Sequence, residues 1–141
     1  MTVPFLDLAA AYKEIDSEIN AAVARVLQSG QYILGPEVEA FESEWAAFCG
    51  ARDCVGVGNG LDALTLSLRA LDIGPGDEVI VPSHTFIATW LAVAETGATP
   101  VPVEPDPQTW NLDPARVDAA ITSRTRAILP VHLYGAPADL A

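Results

Sequence analysis

The sequence predicts an α/β fold, a mostly parallel sheet with helices on its faces. From Cys54 onward, short apolar runs alternate with stretches in which large apolar residues recur every three or four positions. The runs themselves, such as Val79-Ile80-Val81 and Ala127-Ile128-Leu129-Pro130-Val131, lack the apolar–polar alternation of a half-exposed strand, as expected of strands covered on both faces. Gly-Pro turns separate them, with Gly74-Pro75-Gly76-Asp77 the plainest example.

Taken in order, Tyr12, Ile15, Ile19, Val23, Val26 and Leu27 mark one amphipathic helix over 9–28, ended by Ser29-Gly30-Gln31. Gly35-Pro36 opens a second helix. Proline suits its first position, and Glu37 and Glu39 suit the positive end of its dipole. Val38, Phe41, Trp45 and Phe48 are its expected buried stripe. Val55-Gly56-Val57 reads as a short strand that stops at Gly58-Asn59-Gly60, and Leu61, Leu64, Leu68 and Leu71 follow at helical spacing. After Val79–Val81 and Pro82, Ser83 or Thr85 is expected to cap a helix reaching about Thr96, with Gly97 ending it. Val101-Pro102-Val103 is a strand weakened by its proline. Asp113-Pro114 caps and starts a helix of roughly eight residues, and 127–131 is the last strand. The chain then stops with no closing helix, which points to truncation.

Half of the 141 residues are hydrophobic, so a packed core is expected and disorder is not. The apolar excess also suggests surface covered by more chain or by a second subunit. No apolar run reaches the ~18 residues of a membrane span, and Met1-Thr2-Val3-Pro4 does not begin a signal peptide; a cytoplasmic protein is expected. With 7 basic against 19 acidic residues the net charge is −12, which disfavours nucleic acid and anionic membranes as partners. Lys13 is the single lysine. Cys49 and Cys54 lack the spacing and companions of a metal site, so no metal is expected. Reduced thiols are, at least one of them in the core.

In a parallel sheet, ligands bind at the carboxyl ends of the strands. Gly58-Asn59-Gly60 lies at such an end and leads into a helix. Backbone N–H groups there are able to hold a phosphate in a chain poor in cations. The alternative is a tight turn that needs positive φ and binds nothing. Gly56-Val57-Gly58-Asn59-Gly60 misplaces the third glycine of a dinucleotide fingerprint, and no Gly-Lys-Ser/Thr is present. Phe86, just past the next strand end, either stacks on a flat ring or fills the core. His84 reads equally as a capping, solvent or catalytic residue, and His132 as a hydrogen-bonded structural histidine.

Five segments in order carry a resemblance. Pro4-Phe5-Leu6-Asp7-Leu8, Gly35-Pro36-Glu37-Val38-Glu39-Ala40-Phe41-Glu42, Gly58-Asn59-Gly60-Leu61-Asp62-Ala63-Leu64, Gly74-Pro75-Gly76-Asp77-Glu78-Val79 and Val131-His132-Leu133-Tyr134-Gly135 resemble the nucleotide-sugar aminotransferases of the DegT/DnrJ/EryC1/StrS family. These depend on pyridoxal 5′-phosphate (PLP) and have the PLP-dependent transferase fold type I. The phosphate loop and Ile87-Ala88-Thr89-Trp90-Leu91-Ala92-Val93 look like the subgroup that aminates C3 of dTDP-3-keto-6-deoxyhexoses. Gly60-Leu61 stands where many members have Gly-Thr.

The resemblance implies an N-terminal helical segment over 1–52 and, over 53–141, the N-terminal portion of a PLP-binding large domain whose remainder is absent. It implies that Gly60, Leu61 and Asp62 hold the PLP phosphate, that Phe86 stacks on the pyridine ring, and that Tyr32 faces the substrate or a dimer partner. It further implies a homodimer, glutamate as amino donor, and a Schiff-base lysine and a ring-nitrogen carboxylate beyond position 141. No catalytic residue is then expected within the chain, Lys13 included. Two alternatives stay open. One is a sugar dehydratase of the same family, with histidine in place of the lysine; the other is a non-catalytic module that binds a phosphate compound.

Overall fold

The computed structural model describes residues 3–140. They form two compact units, one ending at Gly56 and the other beginning at Val57.

The first unit is helical: α1 (Leu8–Glu14), α2 (Asp16–Ser29) and α3 (Pro36–Cys49). Asp7 caps α1, its Oδ1 accepting from the Ala10 N–H at 3.0 Å. The single helix expected over 9–28 is two, because Ile15 leaves helical geometry at φ −131°, ψ 19°. Gly30 ends α2 in the left-handed region. Pro36 stands at the start of α3 as expected, and Glu37 there accepts from Arg25 at 2.7 and 3.2 Å.

The expected buried stripe of α3 is open. Phe41 and Trp45 are half exposed and Phe48 is 82% exposed. Helical spacing placed them on one face, but no segment of the unit covers that face. The rings instead stack along the helix, with centroids 5.9 Å apart for Phe41–Trp45 and 5.5 Å for Trp45–Phe48. Ala46 is the one buried residue among the described residues of the unit. Neither cysteine enters a core: Cys49 is exposed and Cys54 half-buried.

The second unit holds α4 (Gly60–Ala70), β1 (Glu78–Pro82), α5 (Ala88–Glu95), β2 (Thr99–Val103), α6 (Pro114–Ala120), β3 (Thr125–Ile128) and a 3₁₀ turn at Leu133–Gly135. The sheet order is β2-β1-β3 with both pairings parallel, so the α/β reading holds. β1 is buried throughout, and its side chains alternate between two cores. Val79 and Val81 meet Leu68, Ile73, Ala92 and Val93 under α4 and α5, while Ile80 meets Val103, Leu112 and Val117 under α6. Pro100 and Pro102 are tolerated because β2 is an edge strand. Lying two residues apart, they turn their missing N–H groups away from β1.

Three boundaries differ from expectation. Residues 54–57 form no regular element and pair with no strand among the described residues, and Val55 is 77% exposed; an apolar run becomes a strand only where a ladder receives it. β3 begins earlier, at Thr125, and ends before Pro130, which has no N–H to donate. The Leu129 N–H reaches the Ile80 carbonyl at 2.8 Å. Neither Ser83 nor Thr85 caps α5. Ile87 occupies that position without a side-chain bond, and the Thr85 hydroxyl pairs with that of Thr89 at 2.9 Å. Asp113-Pro114 starts α6 as expected, Asp113 Oδ1 accepting from the Ala115 N–H at 2.9 Å.

Glu78 fastens the start of β1 to the segment before β3. Its buried carboxylate accepts from the Thr122 hydroxyl at 2.5 Å and from Arg124 Nε at 2.9 Å, with a second Arg124 N–H on the same oxygen. The Thr122 hydroxyl, followed by the Arg124 guanidinium, holds this carboxyl below the ordinary 4.5. A carboxyl depressed by folding stabilises fully above its unfolded value, and that contribution is lost as pH falls below 4.5 towards its folded value. Glu78→Gln is therefore expected to lower the melting temperature at pH 7. It should also make the loss of stability below pH 4.5 shallower, as followed by circular dichroism against pH.

Candidate functional site

The two helices on one face of the sheet fix where a ligand would meet it. Trp90 Nε1 donates to the Pro82 carbonyl at 3.2 Å, so α5 starts at the carboxyl end of β1. At the other end of α5, Glu95 accepts from the Thr65 hydroxyl at 3.0 Å and, through its carbonyl, from Arg69 Nη2 at 3.1 Å. The last turn of α4 thus lies beside the last turn of α5, and both helices point their N-termini to the carboxyl side of the sheet.

At the start of α4 the backbone leaves donors free. Asn59 is extended, at φ −165°, and caps the helix. Its Oδ1 accepts from the Asp62 N–H at 2.9 Å and its carbonyl from the Ala63 N–H at 3.1 Å. Among the described residues, the N–H groups of Gly60 and Leu61 have no hydrogen-bond acceptor. Of the three expected phosphate donors, two are open and the third, Asp62, is held by Asn59.

Neither Gly58 nor Gly60 has positive φ, so the turn does not need glycine for left-handed backbone. Gly58 makes room for a side chain: a Cβ there would stand 2.9 Å from Asp62 Oδ2, which also accepts from Asn59 Nδ2 at 3.0 Å. A Cβ at Gly60 would meet nothing within 4 Å, so space beside the free donors is open. The Leu61 side chain packs against the core of the unit while its N–H stays outside, and leucine fits a position where only the backbone is offered.

Phe86 follows β1 at the same edge and is 77% exposed, which sets aside its reading as a core aromatic. His84 is exposed and caps no helix; its ring lies 5.6 Å from that of Trp110 at 57°. His132 is the structural histidine expected. Its Nδ1 accepts from the Ala138 N–H at 2.9 Å, which puts the proton of the neutral ring on Nε2. Tyr32 belongs to the first unit. It is 67% exposed, donates to the Leu27 carbonyl at 3.4 Å and lines a groove of about 430 Å³ with Arg25, Pro36 and Glu37.

Sequence reasoning missed the loop from Pro105 to Leu112. Asp106 folds it, accepting from the Gln108 and Thr109 N–H groups at 2.8 and 2.9 Å, and these bonds hold its carboxyl below the ordinary range. Asn111, 4% exposed, donates to the Ala136 and Pro137 carbonyls at 3.1 and 3.0 Å and accepts from the Leu133 N–H at 3.3 Å. No local pattern marks such an asparagine, because all three partners lie more than twenty residues away.

Residues 13–141 match the profile of the DegT/DnrJ/EryC1/StrS aminotransferase family. The chain is 67% identical over 138 residues to the dTDP-3-amino-3,4,6-trideoxy-alpha-D-glucose transaminase of Streptomyces venezuelae, covering 98% of this chain and 36% of that protein. It superposes on the crystal structure of S. venezuelae DesV in complex with a ketimine intermediate with a TM-score of 0.94 and 67% identity, covering 98% of this chain and 37% of that one. The ntda structure from Bacillus subtilis, with bound cofactor PMP, gives 0.89 at 38% identity, over 95% of this chain and 31% of that one. The chain therefore spans about a third of the length of these relatives.

Asn59→Ala removes the cap that orders the first turn of α4. It is expected to cost about 1 kcal/mol of stability in a denaturant melt.

Proposed function

Given that this chain belongs to the DegT/DnrJ/EryC1/StrS aminotransferase family, we propose that it forms part of the cofactor-binding half of a PLP-dependent sugar aminotransferase. The enzyme moves an amino group from an amino acid, glutamate by the family's habit, to a dTDP-3-keto-6-deoxyhexose. The dTDP-amino-sugar named for the S. venezuelae relative supports that substrate class. The observation that carries the cofactor reading is the pair of free N–H groups on Gly60 and Leu61 beside open space, at the positive end of α4 and on the ligand side of the sheet.

These residues fit the group. A phosphate accepts from Gly60 and Leu61 without displacing a protein bond, and from Asp62 only if Asn59 Oδ1 shares or releases that N–H. The Asp62 carboxylate is drawn back onto Asn59 Nδ2, which keeps its charge from competing for the same donors. The exposed ring of Phe86 is available to stack on a pyridine ring. When bound, PLP supplies an electron sink at the amino-bearing carbon, and protein groups orient it and move protons. The second role needs a lysine and a carboxylate at the ring nitrogen. Lys13, the single lysine, lies exposed on α1 in the first unit and is not assigned that role.

The working enzyme is a cytoplasmic homodimer in this reading. Its support is the apolar surface left open in the first unit, where Phe5, Ile33 and Phe48 are each more than 80% exposed. Among the described residues no helix is long and apolar enough to cross a membrane. Tyr32 is assigned to the substrate side.

Gly60→Pro tests the phosphate site cleanly. Proline is favoured at the first helical position, and the extended Asn59 before it is compatible, so the helix is kept while one donor is lost. Pyridoxamine phosphate (PMP) binding, followed by its fluorescence, is expected to weaken about tenfold or more; unchanged affinity would sink the assignment. The purified chain is expected to show no transamination with glutamate and a dTDP-3-keto-6-deoxyhexose, and measurable turnover would overturn the exclusion of Lys13 from that role.

A further inference from the structure

We propose that Tyr134 is a second aromatic contact for the ligand held at this edge, and that buried Asn111 is the residue that positions it. The inference rests on the cofactor reading above. β3 is the parallel neighbour of β1, so the loops leaving their carboxyl ends lie side by side. One loop presents Phe86, 77% exposed; the other presents Tyr134, 89% exposed.

Tyr134 is held in a costly conformation. Its φ of 53° and ψ of 24° lie in the left-handed region, which a bulky residue enters only where its surroundings impose it, and Gly135 follows at φ 83°. Asn111 imposes it. This one side chain bonds the backbone on both sides of Tyr134, at Leu133 and at Ala136 and Pro137, while His132 Nδ1 ties in Ala138. Asn111 comes from the loop that leaves β2, on the opposite side of β1 from β3. The 105–112 segment therefore crosses the carboxyl end of β1 as a strap, and the His84–Trp110 ring contact lies along that crossing. A strained, exposed aromatic held by a fully bonded buried amide has no packing purpose among the described residues. A flat ring stacked by Phe86 gives it one.

The test measures PMP affinity by fluorescence, with melting temperatures alongside, for the chain and for Phe86→Ala, Tyr134→Gly, Asn111→Ala and the Asn111→Ala/Tyr134→Gly pair. Tyr134→Gly relieves the backbone, so it is expected to hold or raise the melting temperature while weakening PMP about threefold to tenfold. Asn111→Ala should weaken PMP to a similar degree, and the double variant should be no weaker than the worse single one, because Asn111 acts through Tyr134. Additive losses, or an Asn111→Ala effect on melting alone, would overturn the positioning role. If Phe86→Ala weakens PMP and Tyr134→Gly does not, this inference fails and the cofactor reading stands. If the unaltered chain binds no PMP, both fall.

Discussion

Val79, Ile80 and Val81 have no solvent-exposed surface at all, and the second unit is organised by that fact. A strand in that state must be paired on both edges and covered on both faces. Here β2 and β3 supply the edges, α4 and α5 one face, and α6 the other. Glu78 ties the start of β1 to the segment before β3, through Thr122 and Arg124. Because both pairings are parallel, all three strands release their loops on one side. The first turns of α4 and α5 are on that side too.

In the proposed reading, that geometry answers a shortage of cations with backbone donors. With 7 basic residues against 19 acidic ones, a phosphate cannot rely on a cluster of arginines. The unpaired N–H groups of a helix start need no charge, and the aligned peptide dipoles behind them favour an anion. Asn59 fills the third donor and restrains the Asp62 carboxylate, leaving the Gly60 and Leu61 N–H groups without a protein acceptor and open space at Gly60. Gly58 matters here for what it leaves out, a Cβ, and not for the backbone angles it permits.

Features set by local chemistry were legible in the sequence. Pro36 and Asp113-Pro114 start helices, Gly30 ends one, and Val79–Val81 forms the central strand. Features that depend on what lies opposite were not. The Phe41–Trp45–Phe48 face is apolar at helical spacing, yet spacing does not say what covers it, and it stands open. Val55 and Val57 have strand chemistry and no ladder. At the candidate site, Gly60, Leu61 and Phe86 were singled out from the rule that ligands sit at carboxyl strand ends, together with the family resemblance, and their free N–H groups and exposed ring are compatible with that proposal. The engagement of the Asp62 N–H was not legible, because it turns on one rotamer of Asn59. Asn111 was invisible for a related reason: its partners are remote in sequence.

Amide chemical shifts of the ¹⁵N-labelled chain, followed as PMP is added, test the central claim most directly. The account predicts that the Gly60 and Leu61 resonances move first and furthest, as their N–H groups pass from no protein acceptor to a phosphate oxygen, with Asp62 moving less. Saturable shifts centred elsewhere, with Gly60 and Leu61 unmoved, would contradict it.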